Sequence, residues 1–205
     1  MRIGFWAGMA GSLLLAVNGC KNDTPTSPPH TPVVYRIPIE ITFEQAAAQA
    51  LPGDTLSFES SPLPAADTVT LNSNQTPLVL TGTRYYPVIA APVGVPALRL
   101  LSPKAGTRIV HLAFSGGNTT LNVSGSGSLA VDDCRFTGGQ IQIEASGTQL
   151  TVNLSNSLFQ KPSVYGIEIQ SQTVLHASTI TIIGAGDCGI LLSQVARARV
   201  QTSII

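Results

Sequence analysis

The chain has 205 residues, 43% of them hydrophobic and 11% charged, and its 11 basic and 11 acidic side chains cancel. That is enough apolar material for one domain with a core, and it excludes general disorder. With no net field of either sign, charge argues against nucleic acid as a partner and against electrostatic adsorption to an anionic membrane. Three cysteines among 14 prolines and 19 glycines suggest loop punctuation rather than a disulfide framework.

Residues 1–20 place a basic side chain, Arg2, ahead of an apolar run over residues 3–17 and then small residues before Cys20. This is the layout of an export signal rather than of a membrane-spanning helix. The ending Val17, Asn18, Gly19, Cys20 resembles the lipobox of bacterial lipoproteins. That resemblance implies cleavage before Cys20 and lipid on its thiol and on the new amino terminus, so that the membrane is a partner through Cys20. Residues 1–19 would then be a signal peptide. The same layout also fits an ordinary secretory signal with an incidental cysteine. Under the lipoprotein reading the expected address is the cell envelope. Lys21, where a retention aspartate would be familiar, favours the outer membrane. Residues 20–32 are polar and proline-rich, which predicts an extended, semi-rigid tether, with His30 merely solvated.

The domain is expected over residues 33–205. Residues 33–39 read as a first strand, kept to an edge by Pro38. Thr42 and Gln45 have capping-box spacing, followed by helix formers to Leu51 and a stop at Pro52 and Gly53. The spacing predicts one short helix with Phe43, Ala46, Ala47, Ala50 and Leu51 on its apolar side. A strand follows at residues 55–58. The stretch over residues 41–56 resembles the N-terminal cap of the pectin-lyase-like, right-handed parallel β-helix superfamily, and residues 97–117 are similar to that family's recurring strand, turn, strand and Gly-Gly corner. The resemblance covers about residues 41–205 and implies an all-β fold: a right-handed parallel β-helix solenoid with a short N-terminal capping α-helix. It is silent about activity, because that fold carries lyases, hydrolases, adhesins and passive domains alike. Pro62, Pro64, Pro77, Pro87, Pro92 and Pro96 make residues 60–96 less regular, leaving short strands at 68–71, 77–80 and 97–100.

From residue 109 onward a short pattern repeats. Large apolar residues close successive segments at Phe114, Phe136, Leu158, Ile180 and Ile204, a nearly constant spacing whose last interval is slightly longer than the others. Second apolar alternations occur at residues 121–123, 141–143, 167–169 and 190–192. Glycines between the segments supply corners. This register stacks Cys134, Asn156, Ser178 and Thr202 in a corner ladder. It also puts Cys134 and Cys188 in different places in the coil, so both are expected to be free and largely buried. The chain stops on an apolar strand at Ile205 without a polar cap, which raises the expectation of further coils, ahead of the alternative that a partner covers this end.

Acidic residues are few. The nearest approach to a catalytic constellation is Asp132 and Asp133 with Arg135, supplemented by Glu144, Glu168 and Arg108. On a strand Asp132 and Asp133 point to opposite faces, which makes them a poor pair. His111 and His176 fall on the outer surface without companions at metal spacing, so no metal site is expected. Calcium enters only if the chain resembles the family's lyases in activity. Candidate ligand-binding residues are the adjacent loop aromatics Tyr85 and Tyr86, suited to stacking on sugar rings or to loop packing. Gln142, Glu168 and Gln170 are expected to face outward and suit glycan hydroxyls. Three functional readings remain open: a lipid-anchored solenoid that interacts with polysaccharide without chemistry in this segment, a lyase or glycoside hydrolase with an incomplete site, and an adhesin-like spacer. No cofactor is expected under the first, and oligomeric state is left open.

Overall fold

Alternation of inward apolar and outward polar residues is what lets one turn of chain bury its inner face on the next. The computed structural model describes residues 30–61, 67–83 and 85–205. Cys20, the expected signal segment and most of the expected tether lie outside the described residues. Among the described residues are 19 strands and one helix. The strands form three sheets of eight, five and six members, and every pairing between named strands is parallel. The result is a parallel β-solenoid of about seven turns.

One coil shows the order. Gly127–Asp132 lies in the eight-stranded sheet 1 and Arg135–Thr137 in the five-stranded sheet 2. Ile141–Gly147 lies in the six-stranded sheet 3, and Leu150–Ser155 returns to sheet 1 one rung on. Inward columns run along each sheet: Leu129, Val152 and Leu175 in sheet 1, and Leu121, Ile143 and Ile167 in sheet 3, all fully buried. In sheet 2, Phe114, Phe136 and Phe159 stack with ring centroids 5.1 and 4.8 Å apart and planes within 8° and 2° of parallel. Corners demand special backbone. At Gly127 φ is +113°, and a Cβ there would overlap the Pro103 carbonyl oxygen.

The short helix α1 spans Phe43–Gln49, with Thr42 as its N-cap and a complete capping box with Gln45. It covers the first coil, with Phe43 edge-on to Phe58 at 5.1 Å. Such a cover hides the apolar cross-section of a solenoid end. Phe43, Ala46, Ala47 and Ala50 are buried as expected, but Leu51 is exposed, because the chain has left the helix before it. The expected strand at residues 55–58 is Thr55–Phe58.

Several expected positions shift. Sheet 2 aligns Phe136 with Phe159 and Phe159 with Ile182, so Leu158 and Ile180 are not the column that follows Phe136. Leu158 pairs with exposed Arg135 and is half-buried. Ile180 is buried one position past the corner. The corner ladder is His111, Asp133, Asn156, Thr179 and Thr202, all with φ between 46° and 56°. Of the ladder expected from the repeat, only Asn156 and Thr202 belong to it. Cys134 instead turns inward beneath the next coil, its amide donating to Ser157 Oγ. His30 is not simply solvated. Its Nε2 lies 2.6 Å from Oδ1 of fully buried Asp54, which also accepts from the amides of Val33 and Leu51. Burial pushes the Asp54 carboxyl up, but these donors outweigh it and hold it below its ordinary value.

Candidate functional site

A cluster of one aromatic and three polar side chains forms where coils turn from sheet 1 into sheet 2. Val79–Gly82 ends in sheet 1 and Val88–Ala90 begins in sheet 2, so the segment between them is an excursion from the coil. Gly82 allows that exit: a Cβ there would overlap the His111 carbonyl oxygen of the next coil. Tyr86, in a left-handed conformation at φ 50°, returns its side chain to the corner ladder.

There Tyr86 meets three partners from later coils. Its hydroxyl donates to Asp133 Oδ1 at 2.5 Å, and its ring stacks on the His111 imidazole at 4.0 Å with planes 27° apart. The Arg135 guanidinium carbon lies 3.8 Å from the same ring centre. Two groups this close to one ring centre cannot share a face without overlapping, so both faces of Tyr86 are occupied. His111 Nδ1–H donates to the other carboxylate oxygen, Asp133 Oδ2, at 2.7 Å. His111 and Asp133 are successive rungs of the corner ladder, which is why they can meet.

The electrostatics follow from these bonds. The Tyr86 hydroxyl first, and the His111 imidazole second, hold the Asp133 carboxyl below its ordinary value, against the opposing effect of burial. The hydrogen bond to Asp133 in turn raises the Tyr86 phenol. With both oxygens engaged, Asp133 acts as a holder of Tyr86 rather than as a poised base. The Tyr86 contacts with His111 and Arg135 combine aromatic stacking with cation–π attraction.

Of the expected catalytic set, Asp133 and Arg135 meet around Tyr86, whereas Asp132 does not join them. Asp132 Oδ1 accepts from Ser155 Oγ at 2.6 Å and from Asn156 Nδ2 at 2.9 Å. Glu144 and Glu168 pair in register on sheet 3, away from sheet 1, which carries Asp132 and Arg108. Glu144 accepts from Asn122 and Thr119, and Glu168 from Gln170. Gln142 is fully buried rather than outward. Its strand buries residues 142 and 143 in succession, and its amide nitrogen donates to the Gly138 and Gln160 carbonyls. Glu168 and Gln170 remain partly exposed. Tyr85 and Tyr86 part company: Tyr86 is held inside the cluster, while Tyr85 is 87% exposed. Among the described residues no group of three or more His, Cys, Asp or Glu side chains is placed to hold a metal ion.

His111 is the participant that sequence reasoning left on the outer surface by itself. Its signal was present, since it precedes Asp133 by a single period of the apolar repeat. Cys134 and Cys188 are free, but only Cys134 is buried. Burial pushes its thiol up to about 12, leaving it protonated at neutral pH. His176 is exposed, as its place on the strand suggests.

No protein-family model matches the chain, and neither does any curated protein or solved structure. What the fold defines is the class, a parallel β-solenoid.

Proposed function

We propose that the chain is an exported, lipid-anchored solenoid of the cell envelope that holds polysaccharide at the Tyr85 loop without transforming it. The supporting observation is the contrast between the two loop tyrosines. Tyr86 is fixed through its ring and its hydroxyl by His111, Asp133 and Arg135, and Tyr85 beside it stands 87% exposed. A bare aromatic on a fixed backbone loses little freedom when the apolar face of a sugar ring settles on it. The lipid anchor rests on Cys20 and the residues before it, and the outer membrane is favoured by Lys21. A second acyl chain turns marginal membrane binding into stable anchoring.

Co-sedimentation with envelope and plant polysaccharides tests the reading. Binding should fall about tenfold in Tyr85→Ala, equivalent to ~1.4 kcal/mol, with no fragments released. Release of unsaturated uronate in the presence of calcium would replace this reading with the lyase. Absence of both binding and turnover would leave a spacer. Labelled fatty acid incorporated into the full chain and lost in Cys20→Ser tests the anchor separately.

A further inference from the structure

A second surface, independent of the Tyr85 loop, lies on the outer face of sheet 1. Here the register stacks Asn153, His176 and Arg199 in one outward column and Ser155, Ser178 and Gln201 in the neighbouring one. The two columns enclose a hollow of about 250 Å³. Arg197, two positions before Arg199 on the same strand, faces outward beside it and pairs with Val174.

Every side chain facing outward into this hollow can donate a hydrogen bond, and no carboxylate lines it. Arg197, Arg199 and His176 are exposed, and none of the ion pairs among the described residues involves them. The nearest acid in the same columns, Asp132, stands one rung before Ser155 and already accepts from Ser155 and Asn156. In a chain of zero net charge, a hollow walled by hydrogen-bond donors and the Arg199 guanidinium is complementary to an oxyanion. The choice among oxyanions follows from counting. Arg199 presents a planar fork and His176 a further donor, with the Arg197 fork adjacent. A carboxylate offers one charge and two oxygens to these groups, whereas a phosphate monoester offers nearly two charges and three free oxygens.

We propose that this hollow is a phosphate-binding site, in which Arg199 and His176 grip the phosphate, Asn153, Ser178 and Gln201 supply neutral hydrogen bonds, and Arg197, two positions away on the same strand and outside the lining, adds positive charge from the adjoining hollow.

The test uses the full chain carrying Cys20→Ser, so that an acyl anchor cannot contribute. Amide chemical shifts are followed during titration with inorganic phosphate, against sodium chloride at matched ionic strength. Saturable shifts at residues 153, 176 and 199 are expected with phosphate and not with chloride. In the double variant Arg199→Gln, His176→Gln the affinity should drop at least about tenfold, the scale of losing hydrogen bonds from charged donors. Arg197→Gln should give a smaller loss. Two further probes separate the sources of phosphate. Glucose 6-phosphate saturating the same shifts assigns a phosphorylated sugar. Co-sedimentation with phosphatidylcholine vesicles only when they contain phosphatidic acid assigns a lipid headgroup. Absence of saturable shifts with inorganic phosphate overturns the proposal. So does undiminished affinity in the double variant once its circular dichroism matches the parent. Tyr85→Ala should leave phosphate binding unchanged, which separates this site from the glycan reading.

Discussion

Truncation of Phe136 probes the stacked interior most sharply. Its ring is fully buried between Phe114 and Phe159, at 5.1 and 4.8 Å and nearly parallel to both. Phe136→Ala removes two aromatic contacts and opens a cavity that neighbouring coils, held in register by three sheets, cannot readily close. Such losses cost about 3–5 kcal/mol, of which each stacked contact contributes roughly 0.5–1.5 kcal/mol beyond its buried area. For a chain of this size 1 kcal/mol moves Tm by about 2–4 °C, so a loss near 4 kcal/mol predicts a fall of about 8–16 °C. Leu158→Ala is the informative control, because Leu158 is half-buried and pairs with exposed Arg135. It should cost about 1 kcal/mol, in the range of partly exposed positions. Thermal unfolding followed by circular dichroism reads both variants. If Leu158→Ala cost as much as Phe136→Ala, or if Phe136→Ala stayed within about 2 °C of the parent, the register described for sheet 2 would be wrong.

Gly82→Ala should destabilise by about 1–3 kcal/mol, as overpacking does, because the added Cβ meets the His111 carbonyl; the same thermal assay measures it. Asp133→Asn should release Tyr86, seen as faster amide exchange at residues 85–90 with little change in the coils of residues 150–183. Asp133 is held below its ordinary carboxyl value in the folded state, so its contribution is fully present above about pH 4 and is lost as pH falls through the folded value. Protection in that loop, measured against the intrinsic exchange rate at each pH, should therefore fall on acidification below about pH 4 in the parent and much less in Asp133→Asn. Alkylation of the native chain at about pH 8 should modify half-buried Cys188 well before Cys134, whose buried thiol stays protonated; peptide mapping distinguishes them.

The parts of the fold legible in the sequence are those written by local rules. The capping box at Thr42 and Gln45, the stop at Pro52 and the alternation in Thr55–Phe58 each carry their own physical signal. Register was not local. Ser124 pairs with Ser146, but Gly127 faces Leu150 rather than Gln149, so the step between partners lengthens by one position in the turn after Gly147. That insertion carries Phe159 rather than Leu158 over Phe136. Both are large and apolar, so composition alone could not choose between them. The buried Gln142 was lost for a related reason, since alternation breaks within Ile141–Gly147 where residues 142 and 143 both turn inward. In the candidate site, the coil spacing could have joined His111 to Asp133. Tyr86 could not be placed, because it reaches the corner from a loop with no period. The cationic hollow likewise emerges only once strands Leu150–Ser155, Val174–Ser178 and Arg197–Gln201 lie side by side.

Both proposed surfaces depend on which residues of successive coils face each other, and paired cysteines report this directly. Ser155 and Ser178 are register partners on the outer face of sheet 1, whereas the constant spacing of the apolar repeat would set Asn156 against Ser178. Neighbouring parallel strands lie about 4.8 Å apart, within the Cα range a disulfide tolerates. Under mild oxidation, Ser155→Cys with Ser178→Cys should crosslink within one chain, and Asn153→Cys with Ser178→Cys, two positions out of register, should remain reduced. Efficient crosslinking of the second pair with none of the first would contradict the stacking described here.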